Sequence, residues 1–180
     1  TLGFDVVGRR SFEYDSIDPV RSRRDYTYLP NGQLGTITGK TPTSAAYTTS
    51  VNYDHEGRPL TMTVQTGTAP AVSYEFYWDD QSRLISVRID DNNPVASARL
   101  VWTWHYHYLG DQVVAATREK KTGTATPVVQ RYWAEFDERG LIYNLVTNQG
   151  VKDFAARYDA SGWRQVVTQA EVDDVHAVGY

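Results

Sequence analysis

The sequence predicts an all-β chain. It reads as serial antiparallel β-hairpins from about seven repeats, forming one twisted, curled sheet, a partial shell or barrel-like arc. Three observations carry this expectation. A turn motif recurs along the chain: an aromatic, usually an Asp, two variable residues, a Gly and often an Arg. The segments flanking it alternate with period two and are rich in Val, Thr, Tyr and Trp, the strand signal. No segment carries a convincing amphipathic helical period.

The copies run in order. The first is Phe4-Asp5-Val6-Val7-Gly8-Arg9. The second, Tyr28-Leu29-Pro30-Asn31-Gly32, replaces the Asp by Leu, and its Pro presets the backbone angle of the second turn position. Tyr53-Asp54-His55-Glu56-Gly57-Arg58 is the full motif. Trp78-Asp79-Asp80-Gln81-Ser82-Arg83 puts Ser where Gly stands elsewhere, a weak choice at positive φ. Tyr108-Leu109-Gly110-Asp111 is shortened and reads as a two-residue hairpin turn with Gly first. Phe136-Asp137-Glu138-Arg139-Gly140 and Tyr158-Asp159-Ala160-Ser161-Gly162 complete the set. The anchor aromatics at 4, 28, 53, 78, 108, 136 and 158 give gaps of 24, 25, 25, 30, 28 and 22. A period in that range marks serial or stacked repeats.

The motif has a physical meaning. Asp first and Gly fourth is the preference of a type I turn. The carboxylate accepts bonds from amides two residues on, and Gly takes positive φ without a Cβ penalty, so Gly57, Gly140 and Gly162 are expected there. The flanks alternate: Val101, Thr103, His105 and His107 interleave with Trp102, Trp104, Tyr106 and Tyr108. Second turns are expected at 38–42, 66–70, 90–94, 121–124 and 148–150, where Gly, Pro and Asn cluster. The polar tract from Asp15 to Asp25 is expected to be irregular.

An aromatic-Asp-x-x-Gly-Arg motif at this period, from Phe4 to Trp163, resembles the YD repeat, also called the RHS repeat. That repeat occurs in bacterial Rhs proteins, in the C components of Tc toxin complexes, in wall-associated bacterial proteins and in animal teneurins. The resemblance implies hairpins winding into a curled sheet, often a shell around a toxin domain, and therefore a scaffold rather than a catalyst. It implies a secreted or cell-surface bacterial protein, with further repeats or domains of a parent chain as partners. Two departures limit it. Full shells in the family are many hundreds of residues long, so this chain would wrap only a small arc. The family's Asp-Pro-x-Gly self-cleavage motif is absent, since Asp18-Pro19 continues as Val20-Arg21. Neither proteolysis nor toxin activity is carried over.

Composition bounds the function. The 180 residues read as one domain, 1–180. A mean hydropathy of −0.52 fits a sheet with a large solvated face. The net charge of −4 argues against nucleic-acid binding, which usually needs a basic face. No cysteine is present, so neither disulfides nor thiol chemistry enter. No apolar run reaches the roughly 20 residues that span a bilayer as a helix. The chain begins at Thr1 without a visible signal peptide, as expected of a segment of a larger protein.

Candidate chemistry is sparse. His105 and His107 share a strand face, but no third ligand falls in reach on that strand, and zinc usually needs at least three. No metal site and no cofactor is expected. The pairs Asp79-Asp80, Asp90-Asp91 and Asp173-Asp174 lie in turns or polar stretches and read as turn formers and solvated charges rather than paired glycosidase carboxylates. Trp102, Trp104, Tyr106 and Tyr108 make one aromatic face. It is either a packed sheet face or, with Trp133 and Trp163, a platform for sugar rings or a partner surface. The leading expectation is a non-catalytic scaffold module; the alternative is a carbohydrate- or partner-binding module. Unpaired end strands also predict self-association through sheet edges.

Overall fold

The computed structural model describes residues 1–19, 22–41, 44–138, 140–148, 152–158 and 164–169. Among these residues 14 strands form and no helix. They are β1 (Leu2–Phe4), β2 (Arg10–Glu13), β3 (Arg24–Tyr28), β4 (Leu34–Lys40), β5 (Ala46–Tyr53), β6 (Pro59–Thr66) and β7 (Val72–Trp78). There follow β8 (Leu84–Asp90), β9 (Leu100–Leu109), β10 (Gln112–Thr122), β11 (Val128–Phe136), β12 (Ile142–Thr147), β13 (Lys152–Tyr158) and β14 (Arg164–Gln169). Strand neighbours follow chain order from β1 to β14, and the described pairings are antiparallel. The fold class is all-β, a meander of hairpins.

Six of the seven motif copies pair their flanking strands in one way. Each anchor pairs with the residue six positions on: Phe4 with Arg10, Tyr28 with Leu34, Tyr53 with Pro59, Trp78 with Leu84 and Phe136 with Ile142. Tyr158 pairs with Arg164 at the same spacing. In all six the register shifts just before the anchor. In the copies at Phe4, Tyr28, Tyr53 and Trp78 the residues between make a type I turn followed by a bulge, a loop whose twist suits a hairpin. The Tyr108 copy differs: β9 and β10 are joined by Gly110 and Asp111 alone.

The chain divides into two compact units. The first is Thr1–Trp102 with Lys121–Thr126, and the second is Thr103–Lys120 with the described residues from Pro127 onward. In the first unit the buried apolar side chains are Val87 and Ile89, adjacent on one face of β8. In the second, Tyr132 of β11 is 4% exposed, and Asn144 and Thr147 of β12 are buried with it. Most other strand residues are half-buried. A single layer gives each strand only partial cover, which is what the low hydropathy predicts.

One turn differs from local expectation. The turn expected at 38–42 begins later, because β4 runs through Lys40. Gly39 sits in the strand opposite Tyr47, and a Cβ there would lie 2.8 Å from the Tyr47 hydroxyl oxygen. Gly39 is small so that the facing ring can lie across it; beyond the strand, Thr41 N donates to Ala45 O and Ser44 N to Thr41 O, each at 2.8 Å. The polar tract agrees with expectation over most of its length: among its described residues no strand forms between Glu13 and Arg24, and only its last two, Arg24 and Asp25, enter β3. There the Ser22 hydroxyl donates to the Asp18 carbonyl at 2.5 Å and accepts from the Asp15 amide at 2.7 Å.

Candidate functional site

Within each unit, side chains link neighbouring repeat turns. Within a turn the fourth residue donates to the first: Gly8 to Asp5 at 3.0 Å, Gly32 to Leu29 at 2.9 Å, Gly57 to Asp54 at 3.1 Å, and Gly140 to Asp137 at 2.9 Å. The fourth residue has φ between 77° and 88° in these four copies, and Ser82 holds 60°. Asp5, Asp54 and Asp79 each accept two backbone amides and the guanidinium of the following Arg. For Asp79 these are Gln81 N and Arg83 N at 2.9 Å each and Arg83 Nε at 2.7 Å. The Arg83 amide first, and its guanidinium too, hold the Asp79 carboxyl below its ordinary range against the effect of burial.

The anchors tie one repeat to the one before. Tyr28 Oη donates to the Arg10 carbonyl at 2.7 Å, Tyr53 Oη to Leu34 at 3.0 Å, and Trp78 Nε1 to Pro59 at 2.8 Å. Each acceptor stands two residues after the fourth turn position of the preceding copy. The residue just after that position reaches forward to the next turn: Gln33 Nε2 to Gly57 O at 2.9 Å, and Arg58 Nη1 to Ser82 Oγ at 3.2 Å. Arg9 and Arg58 also lie over the rings of Tyr28 and Trp78, at 4.4 and 5.9 Å from their centroids. In the second unit Gln112 Nε2 reaches Gly140 O at 3.1 Å. Phe4 and Phe136 are anchors without a donor, and Phe4 is 60% exposed. Asp159, Gly162 and Trp163 lie outside the described residues, and Tyr158 is placed by its backbone as the last residue of β13.

The aromatic set is divided. Trp102 belongs to the first unit; Trp104, Tyr106, Tyr108 and Trp133 belong to the second. Trp104 meets Tyr132 with centroids 5.3 Å apart. The Arg118 guanidinium lies 5.6 Å from the Trp104 centroid and 5.9 Å from that of Tyr132, and it donates to Gln130 Oε1 at 2.6 Å. Trp133 follows Tyr132 on β11 and so points to the opposite face, where it is 46% exposed. Trp102, Trp104 and Tyr106 are half-buried. His107 Nε2 is 3.2 Å from Thr117 Oγ1. Among the described residues no three His, Asp or Glu side chains gather as metal ligands.

Asp90 departs from the expectation of a solvated charge. It is 1% exposed at the end of β8. Arg99 grips it with Nε at 2.7 Å and Nη2 at 2.6 Å, Arg88 Nη2 donates at 2.6 Å, and Asn92 N at 2.9 Å. The Arg99 side chain first, and then Asn92 and Arg88, hold its carboxyl below the ordinary range despite burial. Asp91, by contrast, does form a turn: its Oδ1 accepts the amides of Asn93 and Leu100, each at 3.0 Å. The local Asp-Asp-Asn-Asn-Pro pattern could signal only the turn, because Arg99 arrives from nine residues away. Beside Asp90 opens a cleft of about 480 Å³, lined by Arg88, Asn92, Asn93, Arg99, Lys121 and Thr124 among others.

Solved structures share this fold. The chain aligns with structures of TcdB2-TccC3-Cdc42 at a TM-score of 0.56, of TcdB2-TccC3-TEV at 0.54, and of TcdB2-TccC3 without its hypervariable C-terminal region at 0.53. Identity is 14% in each, and the matches cover 96%, 98% and 98% of this chain. The chain spans about a tenth (10%) of the length of each matched chain. No protein-family model matches the sequence, and neither does any curated protein.

Proposed function

We propose that this chain is a non-catalytic structural module of a secreted or surface-exposed bacterial YD-repeat protein, one arc of a toxin-related shell or scaffold. The observation that carries this reading is the bond to the preceding repeat made at three successive anchors, Tyr28, Tyr53 and Trp78. One rule applied to successive copies builds a surface of any length, which is what a shell needs and an isolated site does not. The shared fold with TcdB2-TccC3 structures supports it. The partners are further repeats and domains of a parent chain, with 1–180 as a single repeat domain. The alternative, a carbohydrate platform, loses support from Arg118, which already lies near the rings of Trp104 and Tyr132.

Titration of the chain with neutral and acidic oligosaccharides, followed by tryptophan fluorescence, separates the two. The scaffold reading expects no saturable change that depends on an aromatic side chain. Saturable binding abolished by Trp104→Ala or Trp133→Ala would favour the platform instead.

A further inference from the structure

The cleft beside Asp90 has features that sheet building does not use. Three cations line it, Arg88, Arg99 and Lys121, and no carboxylate does. The nearby acids are occupied. Glu75 Oε1 takes Arg88 Nη1 at 2.9 Å, Asp91 Oδ1 serves backbone amides, and both Asp90 oxygens are bonded. Arg99 commits Nε and Nη2 to Asp90, which leaves Nη1 out of that pair, and its side chain is 45% exposed. Lys121 is exposed, and its side chain has no ion-pair partner among the described residues. One buried carboxylate thus anchors two guanidiniums in fixed positions; Glu75, Asp90 and Asp91 balance the three cations in number, so the cleft offers aimed donors, Arg99 Nη1 and the Lys121 ammonium, rather than net positive charge.

The walls are built as firmly. Asn92 holds φ at 48° while its Nδ2 donates to Ala71 O at 2.7 Å and to Ser73 Oγ at 2.5 Å. Gly123 N donates to Arg99 O at 2.7 Å, and a Cβ on Gly123 would lie 2.7 Å from Ser97 O, so only Gly lets these two loops meet. Pro94, Ala96 and Val101 add apolar surface. The volume, about 480 Å³, lies in the range of small-molecule sites.

We propose that this cleft binds a small oxyanion, a carboxylate or a phosphate group, between Arg99 and Lys121. Guanidinium forks and ammonium groups both suit such oxygens, and the Asp90 pairing orients Arg99 before the ligand arrives. The site does not rest on the scaffold reading: it is built from the end of β8, the loop from Asp91 to Arg99, Lys121 near the end of β10 and the turn that follows it.

The test is an amide chemical-shift titration of the full chain at low salt with sodium phosphate, glucuronate and, as the neutral control, glucose. Saturable shifts at Asn92, Asn93 and Gly123 are expected with an anion and not with glucose. A response to phosphate alone identifies a phosphate ligand, and a response to glucuronate alone a carboxylate. Lys121→Glu should weaken the response about tenfold, because it turns an attraction into a repulsion, and should leave the thermal midpoint unchanged. Arg99→Lys keeps a charge beside Asp90 but loses the fork, and should weaken it as well. No saturable shift with either anion, equal shifts with glucose, or an unaltered response in Lys121→Glu would overturn the proposal.

Discussion

Trp78 Nε1 donates a hydrogen bond to the Pro59 carbonyl at 2.8 Å, and so joins two repeats whose turns are 25 residues apart. Tyr28 makes the equivalent bond through a hydroxyl, to Arg10. An indole N–H and a phenol O–H thus do the same job at the same position. Tyr28→Phe should destabilise the chain by about 1 kcal/mol, the usual net worth of such a bond. Trp78→Phe should cost more, since it also removes packed surface. Tyr77→Phe is the control: Tyr77 is exposed and its hydroxyl meets only the neighbouring Glu75. Urea unfolding midpoints should fall in that order, with Tyr77→Phe near wild type.

Turn strain gives a second, opposite-signed pair. Gly8 has φ 83° with nothing within 4 Å of where a Cβ would stand, so Gly8→Ala isolates backbone strain. It should destabilise by about 1 kcal/mol. Ser82 holds φ 60° without being Gly; Ser82→Gly relieves that strain but removes the exposed acceptor of Arg58 Nη1, so the net effect should lie between neutral and about 1 kcal/mol stabilising. Calorimetric midpoints check both signs, and a Gly8→Ala protein as stable as wild type would remove the strain argument.

These positions show how far the sequence could be read. Anchors, turns and period-two flanks were legible because each is a local pattern, decided within about six residues. The donor on the anchor was not, because its acceptor lies 18 or 19 residues back and is found only once strands pair. Asp90 was misread for a related reason. A turn preference describes an Asp by its sequence neighbours, whereas Arg88 and Arg99 make this one an ion-pair centre. The aromatic face was legible as alternation, but alternation cannot say that Arg118 would lie beside Trp104, or that Trp133 faces the other way.

Acid should weaken the chain in a defined direction. Asp79 and Asp90 both titrate below the ordinary value of 3.8 in the fold. The unfolded chain therefore takes up these protons first, as pH falls. The stability they contribute is fully present above about 3.8 and is lost as pH drops through the folded values. Urea midpoints should be flat from about pH 6 to pH 5 and fall below about pH 4. Asp90→Asn should lower the midpoint at neutral pH and shallow the acid slope. An unchanged slope would place the acid sensitivity elsewhere.

The outer strands offer a test of assembly. Among the described residues β1 and β14 each have a neighbour on one side only, and Leu2 and Phe4 are exposed on β1. Open edges pair with other chains. Sedimentation should show association that grows with concentration, and Val166→Pro should weaken it if β14 is the sticky edge, by removing a ladder donor. A strict monomer at high concentration would show that the edges are protected.

Native-state hydrogen exchange on Tyr53→Phe tests the central claim most directly, that successive repeats are held to one another by anchor-to-carbonyl bonds. The lost bond joins Tyr53 to Leu34. If repeats are coupled chiefly to their neighbours, protection should fall most in β4 and β5, less in β3 and β6, and little in β8. A uniform loss from β2 to β12, or no loss at all, would contradict a scaffold built by that linkage.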